Sequence, residues 1–322
     1  MVPALSLLLA PARGITDAVY REAFARCFGG FAGAVAPFIP LRQGQPMRPG
    51  ELRQVAPEHN RALRTVPQLL THHAPTFAAA LRELHRLGHD EVNWNLGCPY
   101  PMVAKRGRGA GLLPHPNRID AILTAALADC PVRLSVKLRL GYRDPDEFRT
   151  VIEVLNRHPL TQVILHARTA VQMYAGPVDI ARAAQALALC RHPFVYNGDI
   201  TSPDGFRALR QQLPGTAAWM IGRGALICPF LPSQLLGAPL PDPEIRRRQL
   251  REFHDRLHEG YSQWLSGPGH LLDKMREHWE YLACGFAQPR QVQTHVRRAG
   301  DAAAYAAAVA WTFAQPLAEP AP

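Results

Sequence analysis

The sequence predicts an α/β fold, a (β/α)8 TIM barrel followed by a small α-helical C-terminal domain. Two observations carry this. Eight apolar, β-rich runs recur with helix-forming stretches between them, at 6–10, 33–37, 66–70, 91–95, 133–137, 162–166, 193–197 and 218–221. Beyond them a proline-rich break leads into segments that are helical throughout. Alternation of strand and helix at this spacing is the signature of parallel βαβ units, and eight such units close into a barrel.

The first run lies within an apolar start, Met1 to Ala10, followed by Pro11-Ala12. That start lacks a basic leader and is short for a secretion signal, so it reads as a buried first strand. The intervening stretches, 76–87 and 118–128 among them, are rich in helix formers. The eighth run ends near residue 222, in line with a barrel of roughly 250 residues. Pro229, Pro232, Gly237, Pro239, Pro241 and Pro243 then read as a linker. This divides the chain into a catalytic barrel, 1–238, and a helical domain, 239–322. Helices are expected at 244–265, 271–283, 290–298 and 302–314, with a frayed end at 316–322.

The 322 residues are 47% hydrophobic, ample for a core, and no apolar run is long enough to cross a bilayer. Cys27, Cys98, Cys130, Cys190, Cys228 and Cys284 form no C-x-x-C pair and no zinc-ligand spacing with histidine. Reduced thiols, no metal, a cytoplasmic location and a monomer are the expectation. The net charge is +10, which suits a polyanionic partner. The helical part holds ten basic and ten acidic residues, so the excess sits on the barrel. Among 36 basic residues only Lys105, Lys137 and Lys274 are lysines. Lysine is a compact charge with a tunable pKa, whereas arginine is a planar fork, so each lysine is of interest.

Active sites of such barrels lie at the C-terminal ends of the strands. Here those ends carry Pro11-Ala12-Arg13-Gly14, Gln68, Asn95-Leu96-Gly97-Cys98-Pro99, Lys137-Leu138-Arg139, His166-Ala167-Arg168-Thr169, Asn197-Gly198-Asp199 and Gly222-Arg223-Gly224. A barrel with a purely structural role needs no such cluster. The last two groups follow the seventh and eighth strands, where this fold usually binds phosphate, and glycine lets backbone amides approach an anion. No G-x-G-x-x-G opens a βαβ unit, so no nicotinamide Rossmann domain is expected. Gly107-Arg108-Gly109-Ala110-Gly111 reads as a mobile loop near substrate. Lys137, if it points inward, must be paired or face a charged ligand. His166 and Arg168 alternate by two and share a face. Cys98, just past a strand, is placed as a proton donor, since a thiol of ordinary pKa stays largely protonated at neutrality.

Together these strand-end residues resemble the tRNA-dihydrouridine synthase family, in order from Leu9 to about Ala225. The Asn95-x-Gly97-Cys98-Pro99 element is the most specific part. The resemblance implies FMN as cofactor, NADPH as its reductant and a uridine in tRNA as substrate, with hydride delivered to C6 and a proton from Cys98 to C5. It implies that Pro11, Ala12, Arg13, Gln68, Lys137, His166, Arg168, Asn197, Gly198, Asp199, Gly222 and Arg223 hold FMN. It sets Asn95 and Tyr174 beside the uridine, and makes Lys105, Lys274 and Arg276 contacts to RNA. The compact helical domain is similar to that of the bacterial type acting on position 16. Ala12, Ala167 and Ile180 depart from the family pattern, which usually has methionine, glycine and tryptophan there. Two other readings fit parts of the sequence: an FMN barrel oxidoreductase acting on a free small molecule, and an RNA-binding barrel without catalysis.

Overall fold

The computed structural model describes residues 5–319. The sheet consists of β1 (Leu7–Leu9), β2 (Gly33–Val35), β3 (Ile39–Pro40), β4 (Thr65–Val66), β5 (Gln68–Leu70), β6 (Glu91–Leu96), β7 (Arg133–Gly141), β8 (Leu160–Thr169), β9 (Phe194–Asn197) and β10 (Ala218–Ile221). Their order is β3-β5-β6-β7-β8-β9-β10-β1-β2-β4 and every pair is parallel. β2 and β3 are two lengths of one strand, and β4 and β5 are two lengths of the next, parted by Pro67 alone. Since β2 pairs with β4 and β3 with β5, the ends of the order meet and the barrel closes as predicted.

Two of the eight predicted runs are therefore broken. Proline has no N–H to give to a ladder. The Pro67 carbonyl still accepts from Asn93 N at 2.8 Å, which keeps the neighbouring strand in register. Two other runs are longer than predicted. β7 continues to Gly141 and β8 to Thr169, so Arg139 and Arg168 lie within strands rather than beyond them, as Lys137 and His166 do.

Both faces of a parallel sheet are covered, so its strands read as apolar runs. Ala10, Val35, Ile164, Val195, Ala218 and Met220 form a cluster of their own inside the barrel. A second, larger core lies between the strands and the surrounding helices and runs on into the helical C-terminal region. The helix Pro243–Trp264 buries Leu250, Phe253, Leu257 and Tyr261, spaced as one helical stripe. Phe253 meets Tyr20, Phe24 and Phe28 of the barrel at ring distances of 5.4, 6.1 and 5.1 Å. Gly260 allows this approach, because a Cβ there would lie 2.6 Å from Val19 Cγ1. Helices Pro268–Leu282, Pro289–Arg298 and Ala302–Phe313 complete the region.

Two expectations are corrected. The proline-rich break is partly helical: Leu231–Leu235 forms a turn with Pro232 in its first positions, where proline is tolerated, and buries Leu231 and Leu235. The segment from Pro316 to Glu319 is tied down rather than frayed. Ala287 N donates to Pro316 O, Ala318 N to Gly285 O, and Arg247 Nη1 to the Phe313 and Gln315 carbonyls. Met1 to Ala4 and Pro320 to Pro322 lie outside the described residues. Among the described residues all six cysteines are free, no helix is long and apolar enough to cross a membrane, and no cluster of three His, Cys, Asp or Glu could hold a metal.

Candidate active site

A cavity of about 610 Å³ opens at the C-terminal mouth of the barrel. Its size falls in the range of roughly 300–1,000 Å³ that holds small molecules and cofactors. Pro11, Ala12, Arg13, Gln68, Asn95, Cys98, Lys137, His166, Tyr174, Asn197, Gly198, Asp199, Gly222 and Arg223 all line it. Arg168 stands behind the wall, and Lys105, Lys274 and Arg276 lie away from it.

The strand period of two explains this convergence. Asn93 and Asn95 on β6, Lys137 and Arg139 on β7, and His166 and Arg168 on β8 each recur on one face. The interior is accordingly polar near the mouth. Gln68 Nε2 donates to Asn93 Oδ1 at 2.7 Å, and Asn93 Nδ2 donates to Ser135 Oγ at 3.0 Å. Gln68 Oε1 accepts from Asn95 Nδ2 at 2.8 Å. Asn95 Oδ1 in turn accepts from Gly97 N and Cys98 N, at 3.1 and 2.8 Å. Asn95 thus caps the turn that presents Cys98. A buried network of this kind is stable only when its members are satisfied, and these are.

Arg139 fixes the other side of the turn. It is buried, and it donates to the carbonyls of Gly97 (3.1 Å), Thr169 (2.8 Å) and Met173 (2.6 Å). The last two contacts hold the turn that carries Tyr174, where Met173 has a positive φ of 52°. The Arg139 and Arg223 guanidinium carbons sit 5.2 and 5.1 Å from the Tyr174 ring centre.

The glycine run 107–111 is not a mobile loop over substrate. Gly109–Leu112 is a 3-10 turn packed behind Cys98, and Gly109, Ala110 and Leu112 are buried. Ala110 N donates to Cys98 O at 3.1 Å. Gly109 has φ +55°, and a Cβ there would lie 2.9 Å from both Cβ and O of Cys98. Gly109→Ala should therefore cost about 1–3 kcal/mol through strain and overpacking. Urea unfolding measures this; an unchanged midpoint would show that the turn has slack.

Burial pushes the Cys98 thiol above its ordinary pKa, against smaller pulls from the Tyr100 backbone N–H and then from Arg13 and Arg139. The group is a protonated thiol at neutral pH. Lys137 Nζ donates to Asn197 Oδ1 at 2.9 Å, and Asn197 Nδ2 donates to Met220 O at 2.8 Å. Burial first, then Arg139, bring Lys137 down to about 7. His166 is held well below its usual value, by burial and then by Arg139, Lys137, Arg168 and Arg223, so its imidazole is neutral. Asp199 gathers two arginines. Arg168 pairs with both of its oxygens and with the Gly176 carbonyl, while Arg223 Nη2 reaches Oδ1 at 3.0 Å. Beside it Gly198 has φ +149°, and a Cβ there would lie 2.8 Å from Val178 Cγ1.

Lys105 is exposed at the end of the helix Pro101–Ala104. Lys274 contacts the Gly14 carbonyl and lies 3.3 Å from Asp17 Oδ2. Arg276 binds Asp273 and the Ala299 carbonyl. Of the departures from the family pattern, only Ala12 faces the cavity; Ala167 is buried in the core between strands and helices. Residues of the cavity not singled out from sequence include Phe38, Tyr100 and Tyr281. The clamp role of Arg139 was within reach, since it shares a strand face with Lys137. Tyr281 comes from the helical region and has no local signal.

Fold and site thus define a parallel eight-stranded barrel with one cationic cavity at its C-terminal mouth and a thiol in the wall. The family model described as "Dihydrouridine synthase (Dus)" matches residues 8–312, and the chain belongs to that family. It is 29% identical over 315 residues to a "Probable tRNA-dihydrouridine synthase" of Rhodobacter capsulatus, covering 96% of this chain and 95% of that protein. It is 29% identical over 263 residues to a "tRNA-dihydrouridine(16) synthase" of Neisseria meningitidis, covering 77% of this chain and 78% of that one. Among solved structures, a variant of NCR from Zymomonas mobilis matches with a TM-score of 0.52 at 16% identity, covering 75% of this chain and 89% of that one. That likeness concerns the fold.

Proposed function

We propose that this chain reduces a uridine in tRNA to 5,6-dihydrouridine, with FMN as cofactor and NADPH as reductant. The observation that carries the reading is that a protonated thiol, Cys98, shares one cavity with Lys137, His166 and the Asp199–Arg223 group. The residues suit FMN. Gly198 and Gly222 let the backbone approach a phosphate, and Arg223 adds charge beside them. Arg168 acts from behind, by holding Asp199. Lys137, with neutral His166, Asn197, Gln68, Pro11, Ala12 and Arg13, would surround the ring.

When bound and reduced, FMN supplies a hydride for C6 of the uracil, and NADPH restores it. Cys98 holds the proton for C5 and keeps it because its thiolate is disfavoured by burial. The thiolate left behind regains its proton from solvent. Asn95 and Arg139 keep the thiol in place, and Tyr174 offers an aromatic face to the base. Lys105, and the helical region 239–322 with Lys274 and Arg276, serve tRNA docking in this reading. The protein then acts in the cytoplasm as a monomer. Several relatives carry the name tRNA-dihydrouridine(16) synthase, which supports position 16 as the target. Dihydrouridine mapping in tRNA from cells with and without the gene tests this. Loss at position 16, restored by complementation, is expected; unchanged dihydrouridine would overturn the reading.

Lys137 also predicts a pH effect on the apoprotein. Its folded pKa of about 7 lies below its value of about 10.4 in an unfolded chain. Between these values the unfolded chain binds more protons, so stability rises with pH across that window, and the cost of the buried charge is fully present below 7. Lys137→Met should be more stable than wild type at pH 6. The gap should narrow between pH 7 and pH 9, at on the order of 1 kcal/mol per pH unit. Urea unfolding at both pH values measures it, and a gap independent of pH would remove Lys137 as the titrating group.

A further inference from the structure

The cavity wall is not all barrel. Tyr281 belongs to the helix Pro268–Leu282 of the helical region, yet it lines the cavity. The face of the helix that carries it is anchored at two further points. Lys274 binds the Gly14 carbonyl and Asp17 in the loop after β1. His278 is buried, with Nε2 2.8 Å from Tyr261 Oη. Tyr261 donates its hydroxyl proton to Asp17 Oδ1 at 2.8 Å, so His278 Nε2 must be the donor to Tyr261. Lys274, His278 and Tyr281 stand four and three residues apart, which puts them on one side of the helix. That side is locked to the barrel at one end and holds Tyr281 over the mouth at the other.

Tyr100 and Tyr174, also in the cavity wall, are 49% and 46% exposed. Tyr281 lines the same cavity as both, together with Arg139 and Arg223. Three tyrosines from three separate segments, interleaved with Arg139 and Arg223, thus frame one entrance. Half-exposed aromatic rings beside arginines are the chemistry that holds unpaired bases, by stacking and by cation–π contact.

We propose that Tyr281 is a substrate-positioning residue: it completes, with Tyr100, an aromatic wall on which a base flanking the reacting uridine stacks. The proposal rests on the RNA-reductase reading above. It makes the helical region part of the active site and assigns Lys274 to fixing the wall.

The test compares wild type, Tyr281→Phe and Tyr281→Ala. Dissociation constants for unmodified tRNA and kcat and KM for dihydrouridine formation are measured, with flavin content by absorbance and folding by circular dichroism. One stacked base predicts that the alanine variant binds tRNA about tenfold more weakly. KM should rise accordingly, flavin content should stay at the wild-type level, and phenylalanine should restore binding to within about twofold. Wild-type affinity in the alanine variant overturns the proposal, as does a phenylalanine variant as weak as alanine. If wild type binds tRNA with this aromatic dependence but forms no dihydrouridine, the reductase reading fails while the stacking role stands.

Discussion

Cys98→Ala is expected to lower dihydrouridine formation by about 10²–10⁴-fold while leaving flavin binding intact, the range ascribed to a positioned general acid. The cysteine turn is held from three sides: by Asn95 Oδ1 on its amides, by Arg139 on the Gly97 carbonyl, and by Gly109 packed against Cys98 itself. None of these contacts needs the sulfur, so alanine should keep the fold. What is lost is a proton that burial keeps on the thiol. A merely packed thiol would behave otherwise, because removing one buried sulfur would change stability slightly and turnover hardly at all. Single-turnover reduction of unmodified tRNA by both proteins, matched for flavin content, separates the two. Equal rates would end the role of Cys98 as acid.

The largest expected loss of stability is for Asp199→Ala. Arg168 is 2% exposed, and Asp199 is its only carboxylate partner among the described residues. Removing one member of a buried pair leaves an uncompensated charge and typically costs 3–5 kcal/mol. Two features place this site at the low end, about 3 kcal/mol. The Asp199 side chain is 35% exposed, and the Gly176 carbonyl would still accept from Arg168. A backbone effect adds to it: Asp199 has φ 42°, a left-handed conformation that Asp and Asn tolerate better than Ala. Asp199→Asn keeps that tolerance and one acceptor, so it should lose clearly less. Denaturant unfolding of the three proteins measures the order wild type, Asn, Ala. Equal midpoints for Asn and Ala would mean that neither the backbone preference nor the remaining acceptor matters.

Much of this architecture was legible because strand periodicity is short-ranged. An inward lysine at 137 implies an inward residue at 139, and the same holds for His166 and Arg168. The parallel barrel then brings these faces to one mouth without further information. The breaks at Pro67 and at 36–38 are short, and there proline or a local bend interrupts a strand that the apolar pattern treats as continuous. Gly109 misled for a physical reason. A glycine-rich run permits mobility, but it also permits close packing, and only the neighbour at 2.9 Å decides which. Lys274 and Tyr281 were hidden most deeply. The barrel partner of Lys274 has no local signal: Asp17 lies 257 residues before it, with their side chains 3.3 Å apart. Contacts of that span arise from how the helical region is laid across the barrel, which no local pattern specifies.

In the proposed function this cavity reduces uridine within tRNA. Incubation of the purified protein with FMN, NADPH and tRNA lacking modifications, followed by quantification of dihydrouridine in the RNA and, in parallel, of reduced product from free uracil and from orotate, tests it. Dihydrouridine in tRNA at a single position, and no product from the free small molecules, is expected. A protein that takes up no flavin, or that turns over the free compounds and leaves tRNA unchanged, would contradict it.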